Sequence, residues 1–311
     1  MIKREKYIAE IRGFYDSDLI KVITDVRRWG KSVILEQIKD EISKKSNNTI
    51  SIDFENRAET RAIETWSDIV TYVKDHRNEG LCYVFLDEIQ EIENWAIAVK
   101  SFRKENCSVF ITGSNSKLLS SEFTKELSGR FVSFRIHPFI YKELLSYASE
   151  LGKTMTISDY LVWGRFPKQI ELSPSDQRRY LNDLDKTIVI NDIIRSYNIK
   201  KLSDFKKVVS FVLISNSRIY SSRSISAYLK GQGLSVSPNT IQKWISYLRE
   251  AYVIDQVPRY STKAKKELED SKKLYDYDVA LNSIWVKDNR FDLTHNMKNI
   301  VWMNSYTGVT L

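Results

Sequence analysis

Thr24-Asp25-Val26-Arg27-Arg28-Trp29-Gly30-Lys31-Ser32 decides how this chain is read. Before it, Leu19 to Thr24 is apolar and β-branched, the pattern of a short buried strand. After it, Ser32 to Lys45 carries Ile34, Leu35, Ile38 and Ile42 at helical spacing, with Glu36, Lys39, Asp40 and Lys44 on the other side. The order is strand, loop, amphipathic helix.

Such a junction turns backbone N–H groups towards one point at a helix amino terminus, where a phosphate is held. Gly30 supplies the last turn, Lys31 an ammonium for the outer phosphates, and Ser32 a hydroxyl for Mg2+. A Gly-Lys-Ser triplet also occurs by chance in loops; the flanking strand and helix argue against that here. The expected contact set is Asp25, Val26, Arg27, Arg28, Trp29, Gly30, Lys31, Ser32 and Val33, with ATP or ADP and Mg2+ as ligands.

One position departs from the pattern GxxxxGK[ST], which asks for glycine at residue 25. Glycine there permits positive φ and close approach of the loop. Aspartate instead brings a carboxylate towards a polyphosphate, a repulsion of about 1 to 4 kcal/mol in a surface-like dielectric. Arg27 and Arg28 beside it offset part of this charge.

Leu81-Cys82-Tyr83-Val84-Phe85-Leu86 is a continuous apolar strand that ends in Asp87-Glu88. With the loop upstream, Asp87 is expected on Mg2+ beside Ser32, and Glu88 as the base that polarises the attacking water. A third strand, Ser108 to Thr112, runs into Gly113-Ser114-Asn115. Asn115 is expected to touch the γ-phosphate or position water, although Gly-Ser-Asn is also an ordinary turn. Arg130, in Leu127-Ser128-Gly129-Arg130, reads either as an arginine finger or as a surface arginine. Catalytic candidates are therefore Lys31, Glu88, Asn115 and Arg130.

A second strand at Thr49 to Phe54 and a helical stretch at residues 58 to 76 complete an alternation of strands and helices. The strands lack polar alternation, which indicates a parallel sheet covered on both faces. The fold class is α/β. Past Phe131 to Ile136, Pro138 breaks the pattern, and from Ile140 to about Lys200 the spacing is helical, a lid or linker.

Residues 202 to 259 read as helix (Asp204 to Ser215), helix (Ser224 to Lys230), Gly-containing turn, helix (Pro238 to Glu250) and strand (Tyr252 to Val257), the layout of a winged helix-turn-helix. The third helix offers Asn239, Gln242, Lys243, Ser246 and Arg249 to phosphates and base edges. Residues 201–250 hold eight Lys and Arg against two acids. The module contacts DNA on this reading, or packs only against protein. Beyond it come the charged stretch Lys263 to Lys273, a strand around Leu274 to Val279 and a weakly patterned tail.

The net charge of +8 is uneven. Residues 1–150 carry 23 basic and 24 acidic side chains, residues 151–311 carry 25 and 16, so the whole excess lies in the second half. That asymmetry suits a nucleic-acid partner of the second half. No apolar run approaches the roughly 20 residues that span a bilayer, and Met1-Ile2-Lys3-Arg4-Glu5-Lys6 is not a secretory signal, so a cytoplasmic, membrane-free protein is expected. Cys82 and Cys107 read as buried thiols, and the three histidines have no metal-ligand spacing.

Taken together the motifs resemble the AAA+ superfamily of P-loop ATPases. Within it they are similar to a prokaryotic family of ATP-binding proteins with an AAA domain, a winged helix and a nuclease-like carboxy-terminal domain. The matching residues are Thr24 to Ser32, against a loop of the form G-V-R-R-x-G-K-S, Leu86-Asp87-Glu88-Ile89-Gln90, Thr112-Gly113-Ser114-Asn115-Ser116, and Leu127-Ser128-Gly129-Arg130 on to Pro138-Phe139. Gly164-Arg165-Phe166-Pro167 stands where the family has Gly-Gly-Phe-Pro, and Lys273 to Asp278 is similar to its K-x-Y-x-x-D. The departures are Asp25, Arg165, and an end at Leu311 where the family continues into the nuclease-like fold.

The resemblance implies an AAA+ domain at residues 1–137, a helical lid at 138–201, a winged helix at 202–260 and a truncated carboxy-terminal region at 261–311. It implies Mg2+-dependent ATP hydrolysis coupled to conformational change, with possible self-association and DNA binding. The competing reading, favoured by Asp25, is a DNA-binding or scaffold protein whose nucleotide site is degenerate.

Overall fold

Ile20–Asp25 (β1), Thr49–Asp53 (β2), Cys82–Asp87 (β3), Cys107–Ser114 (β4) and Phe131–Arg135 (β5) hydrogen-bond into one sheet of order β2-β3-β4-β1-β5 in the computed structural model of the chain. All four pairings are parallel. Residues 2–25, 29–56, 58, 60–114, 127, 129–185, 193–258, 272–285 and 292–306 are described, with only the backbone of residues 25, 114, 185 and 306. They belong to two compact units, Met1–His137 and Pro138–Leu311.

The apolar strands expected from sequence are two-sided because each face meets helices. On one face Val22, Val84, Leu86, Val109 and Ile111 pack with Ile69 and Val73 of α3 (Trp66–His76) and Ala98, Val99 and Phe102 of α4 (Trp95–Phe102). On the other, Ile23, Phe85 and Phe110 pack with Ile11 of α1 (Glu5–Arg12) and Ile34, Leu35, Ile38 and Ile42 of α2 (Lys31–Ser43). Phe85 and Phe110 stack across the strands with centroids 4.8 Å apart.

One helix boundary is corrected. The helical stretch expected from residue 58 begins at Trp66, because Thr65 and Asp68 form a capping box: the Thr65 hydroxyl accepts from the Asp68 N–H and the Asp68 carboxylate accepts from the Thr65 N–H.

A buried charge lies at the far end of β1. Lys21 is fully buried; its ammonium donates to the Ser108 hydroxyl at 2.7 Å and the Ser17 carbonyl at 3.0 Å, and lies 4.5 Å from the centroid of the Phe110 ring. Burial pushes this lysine down to about 7, against the opposing pull of Asp16 and Asp18.

The second unit is built from α5 (Tyr141–Glu150), α6 (Ile157–Trp163), α7 (Lys168–Glu171), α8 (Pro174–Asp185), α9 (Ile194–Tyr197), α10 (Leu202–Ile214), β6 (Ile219–Tyr220), α11 (Ser222–Gly231), α12 (Pro238–Glu250), β7 (Ile254–Pro258) and β8 (Lys272–Asp276). Strands β6, β8 and β7 form an antiparallel sheet in that order. Ser237 caps α12 by accepting from the Thr240 N–H, with Pro238 in the first turn. The expected strand at Leu274 to Val279 ends at Asp276, and the tail that looked weakly patterned forms α13 (Val279–Trp285) and α14 (Leu293–Tyr306), both packed on α6. The expected charged stretch Lys263 to Lys273 lies, up to residue 271, outside the described residues.

Arg165, at the position where the resemblance asks for glycine, is part of this unit's core. Its backbone N–H donates to both carboxylate oxygens of buried Asp278 (3.1 and 2.9 Å) and its guanidinium donates to the Tyr277 carbonyl. Burial raises the Asp278 carboxyl to about 6, and Arg165 pulls it back down. The adjoining Gly164 has φ +77°, and a Cβ there would lie 1.9 Å from Asp278 Oδ1 and 2.5 Å from Ala280 Cβ. Gly164 is therefore required for this contact.

Lys21 generates a pH prediction. From pH 7 to its ordinary value near 10.5 the unfolded lysine binds a proton that the folded one lacks, so stability rises with pH across that window. The rise is up to about 1.4 kcal/mol per pH unit. Urea unfolding between pH 7 and 9 is expected to show it in the native chain and a flatter profile in Lys21→Met; equal slopes would count against the assignment.

Candidate nucleotide-binding site

Parallel strands all end at one edge, and the register fixes which ends are neighbours. Asp25, the last residue of β1, pairs with Ser114 of β4; Leu86 of β3 pairs with Ile111, which sets Asp87 beside Thr112. The residue-25 backbone continues β1 in extended form and is not among the positive-φ positions, so aspartate fits the backbone where the pattern has glycine. Its side chain, all of Val26, Arg27, Arg28 and Asn115, and Ser116 of the matched motif lie outside the described residues.

Gly30 caps α2 with φ +94°, a conformation that demands glycine, and its carbonyl accepts from the Ile34 N–H at 3.0 Å. Trp29 is fully buried, which anchors the end of the loop, and Val33 is half-buried. Lys31 is 3% exposed and its ammonium lies 3.5 Å from Glu88 Oε1. Ser32 follows Lys31 in the first turn of α2, close enough to the Asp87 carboxylate to favour its ionised form.

Thr112 ties the two acids together. Its hydroxyl donates to Asp87 Oδ1 and accepts from the Glu88 backbone N–H at 3.0 Å. Glu88 sits in the left-handed region (φ +51°), which turns its side chain off the strand line at the site edge. Gln90, in the single 3-10 turn Ile89–Glu91, donates its amide to Glu88 Oε2. Burial pushes the Asp87 carboxyl up, while the Thr112 and Ser32 hydroxyls pull it down and Glu88 and Asp53 raise it further.

The structure thus brings Gly30, Lys31, Ser32, Asp87 and Glu88 to one place. Arg130 is elsewhere. Its carbonyl accepts from the Ile20 N–H at 3.0 Å, at the opening end of β1, and its side chain is exposed. Five residues of strand separate it from the loop, about 16 Å. At the loop end, Thr24 pairs instead with Arg135. Thr112 and Gln90 are site residues that stand in the matched motifs but were assigned no role there. The signal for Thr112 was its register opposite Asp87, which sequence does not print.

Residues 17–145 match the family model described as an AAA domain, and residues 154–289 match a domain of unknown function, DUF8612. The first unit is an AAA+ P-loop ATPase domain. The chain is similar to an uncharacterized protein of Haemophilus influenzae (29% identical, covering 97% of this chain and 78% of that protein). It is also similar to uncharacterized protein MJ1544 of Methanocaldococcus jannaschii (27% identical, 79% of this chain, 58% of that protein). In fold it is similar to a Walker-type ATPase of Pyrococcus abyssi, at 16% identity and TM-score 0.57 over 92% of this chain and 96% of that one. The AAA domain makes this a nucleotide-binding fold. Among the described residues, no helix is long and apolar enough to cross a membrane.

Removing the Thr112 hydroxyl leaves the buried Glu88 N–H and one Asp87 oxygen without that partner, a cost of about 1 to 3 kcal/mol. Thr112→Val is expected to lower the urea midpoint accordingly. A midpoint unchanged within error would show that the bridge does not form.

Proposed function

We propose that the chain binds ATP with Mg2+ at this site and hydrolyses it to ADP and phosphate. The observation that carries the reading is the convergence of buried Lys31 and Glu88, 3.5 Å apart, with Ser32 and Asp87 at one sheet edge. Lys31 holds the outer phosphates, and the N–H groups at the start of α2 hold the inner ones. Ser32 and Asp87 are hard oxygen donors side by side, a set that fits Mg2+. The chemistry a bound Mg2+ supplies is neutralisation of phosphate charge. Glu88 accepts the proton of the attacking water. ATP draws Lys31 from Glu88, so substrate binding frees the base.

Asn115 is read as a γ-phosphate contact. Arg130 is assigned to the site of a neighbouring copy, because about 16 Å of β1 separates it from its own loop; that assignment needs self-association. The competing idea of a dead site draws on Asp25, and the unstrained extended backbone there weakens it. Nucleotide turnover coupled to conformational change, in a cytoplasmic setting, completes this half of the reading.

The second half of the chain is read as a lid (138–201), a winged helix (202–260) that binds DNA, and a carboxy-terminal region (261–311). What supports the DNA contact is that Asn239, Gln242, Lys243 and Arg249 are all exposed on α12, with Ser246 half-exposed, and that Arg249 is steadied by Gln256 at 3.1 Å. The order α10, β6, α11, α12, β7, β8, with β8 between β6 and β7, suits a winged module.

Phosphate release by the purified chain is expected to fall at least about 100-fold in Lys31→Ala and in Glu88→Gln. Equal rates in all three proteins would sink the ATPase reading. Asp25→Gly is expected to tighten ATP binding about tenfold or more, the effect of removing at least roughly 1.4 kcal/mol of repulsion.

Double-stranded DNA binding, followed by anisotropy against salt, is expected to weaken in Lys243→Ala and Arg249→Ala. Each change should reduce the salt slope by about one. Absence of salt-dependent binding in the native chain would remove the DNA half and leave the nucleotide half standing.

A further inference from the structure

Gln90 is the polar group of the site that the functional reading has not used. Its amide nitrogen donates to Glu88 Oε2, while Lys31 approaches the other carboxylate oxygen, Oε1, at 3.5 Å. The two contacts divide the carboxylate between them. The Gln90 carbonyl oxygen, Oε1, is buried and accepts no hydrogen bond. A buried amide oxygen without a donor costs roughly 1 to 3 kcal/mol, so its retention beside a proposed general base calls for a donor that arrives with the substrate.

Short-range geometry explains why this residue can hold its place. Glu88 turns through the left-handed region, and Ile89–Glu91 closes a 3-10 turn in which the Glu91 N–H donates to the Glu88 carbonyl at 3.1 Å. That turn brings the side chain of residue 90 back against that of residue 88. Ile89 is fully buried in the core under the sheet, so the turn is pinned.

We propose that Gln90 positions both Glu88 and the attacking water, its amide N–H holding the Glu88 carboxylate and its carbonyl oxygen accepting a hydrogen bond from that water. This rests on the ATPase reading and adds a residue to it. In the step concerned, the water oxygen bonds the γ-phosphorus and the bond from that phosphorus to the β–γ bridging oxygen breaks. The electron pair leaves on ADP. The water's transferred proton passes to Glu88 Oε1, vacated as Lys31 moves to the phosphates, and from there to solvent. The second water hydrogen points at Gln90 Oε1. Two acceptors at a fixed separation orient the water lone pair on phosphorus, where Glu88 alone leaves the water free to rotate about one hydrogen bond.

A residue acting on the water in this way affects the transition state and not the binding of ATP. Gln90→Ala is expected to lower kcat by about 10- to 100-fold with the ATP dissociation constant changed less than about threefold. Gln90→Glu keeps the shape and the oxygen, removes the N–H donor and sets a second carboxylate against Glu88. It is expected to be at least as slow as Gln90→Ala at pH 7.

The second measurement needs no turnover: affinity for Mg2+, ADP and aluminium fluoride, which mimics the γ-phosphoryl group with its water, against affinity for Mg2+ and ADP alone. The native chain is expected to bind the mimic at least tenfold better than ADP, with most of that preference lost in Gln90→Ala and ADP affinity unchanged. A native chain that prefers the mimic, with an equal preference in Gln90→Ala, overturns the role of Gln90 alone. A native chain with neither turnover nor preference for the mimic overturns the ATPase reading and this proposal with it. Loss of ADP affinity in Gln90→Ala in parallel with kcat would mark a structural role and also overturn the proposal.

Discussion

Hydrogen bonding between β4 and its neighbours β1 and β3 holds three strand ends at one edge of the sheet, and every chemical group of the site depends on it. Thr112 marks the junction. Its hydroxyl accepts from the Glu88 N–H and donates to the Asp87 carboxylate, so the strand in the middle sets the spacing of the two acids at the end of the strand beside it. A one-residue slip of β4 would exchange Thr112 for Ile111 or Gly113, neither of which has a side-chain hydroxyl, and would turn a core face to the wrong side.

That register is secured from both faces. Alternate residues of β3 and β4 enter opposite cores, Val84, Leu86, Val109 and Ile111 towards α3 and α4, Phe85 and Phe110 towards α1 and α2. The Gly30 end of α2 is placed by the same packing, since Ile34, Leu35 and Ile38 hold the helix against the sheet while Gly30 turns the chain into it. Tight packing where the strands run and polar groups where they stop is what lets a buried lysine and a buried glutamate face each other without collapsing the core. Each neutralises the other, which is the least costly arrangement for two charges so far from water.

The second unit solves its buried polar groups differently. Asn296, Asn299 and Asn304 lie buried on α14 and Asn282 on α13; Asn299 exchanges hydrogen bonds with the backbone of Asp276, and Asn296 and Asn282 bond each other. A helix whose inner face is asparagine shows little hydrophobic periodicity. This is why the tail looked unpatterned in sequence although it forms two helices in the core. Arg165 belongs to the same strategy, its backbone and guanidinium both engaged around Asp278.

Sequence by itself determined the α/β class, the Gly30 start of α2, the two acids and the Ser237-Pro238 start of α12, because each is written in neighbouring residues: apolar runs, Gly-Lys-Ser, Asp-Glu, a cap and a proline. It also carried, unread, the Thr65–Asp68 cap that begins α3. Only the tertiary structure decided that Thr112 joins the acids, that Gln90 folds back on Glu88, that Arg130 lies at the opposite end of β1 from the loop, and that Asp25 is ordinary extended backbone. Those facts follow from strand register and chain direction, which are set by contacts between segments far apart in sequence and leave no local pattern to read.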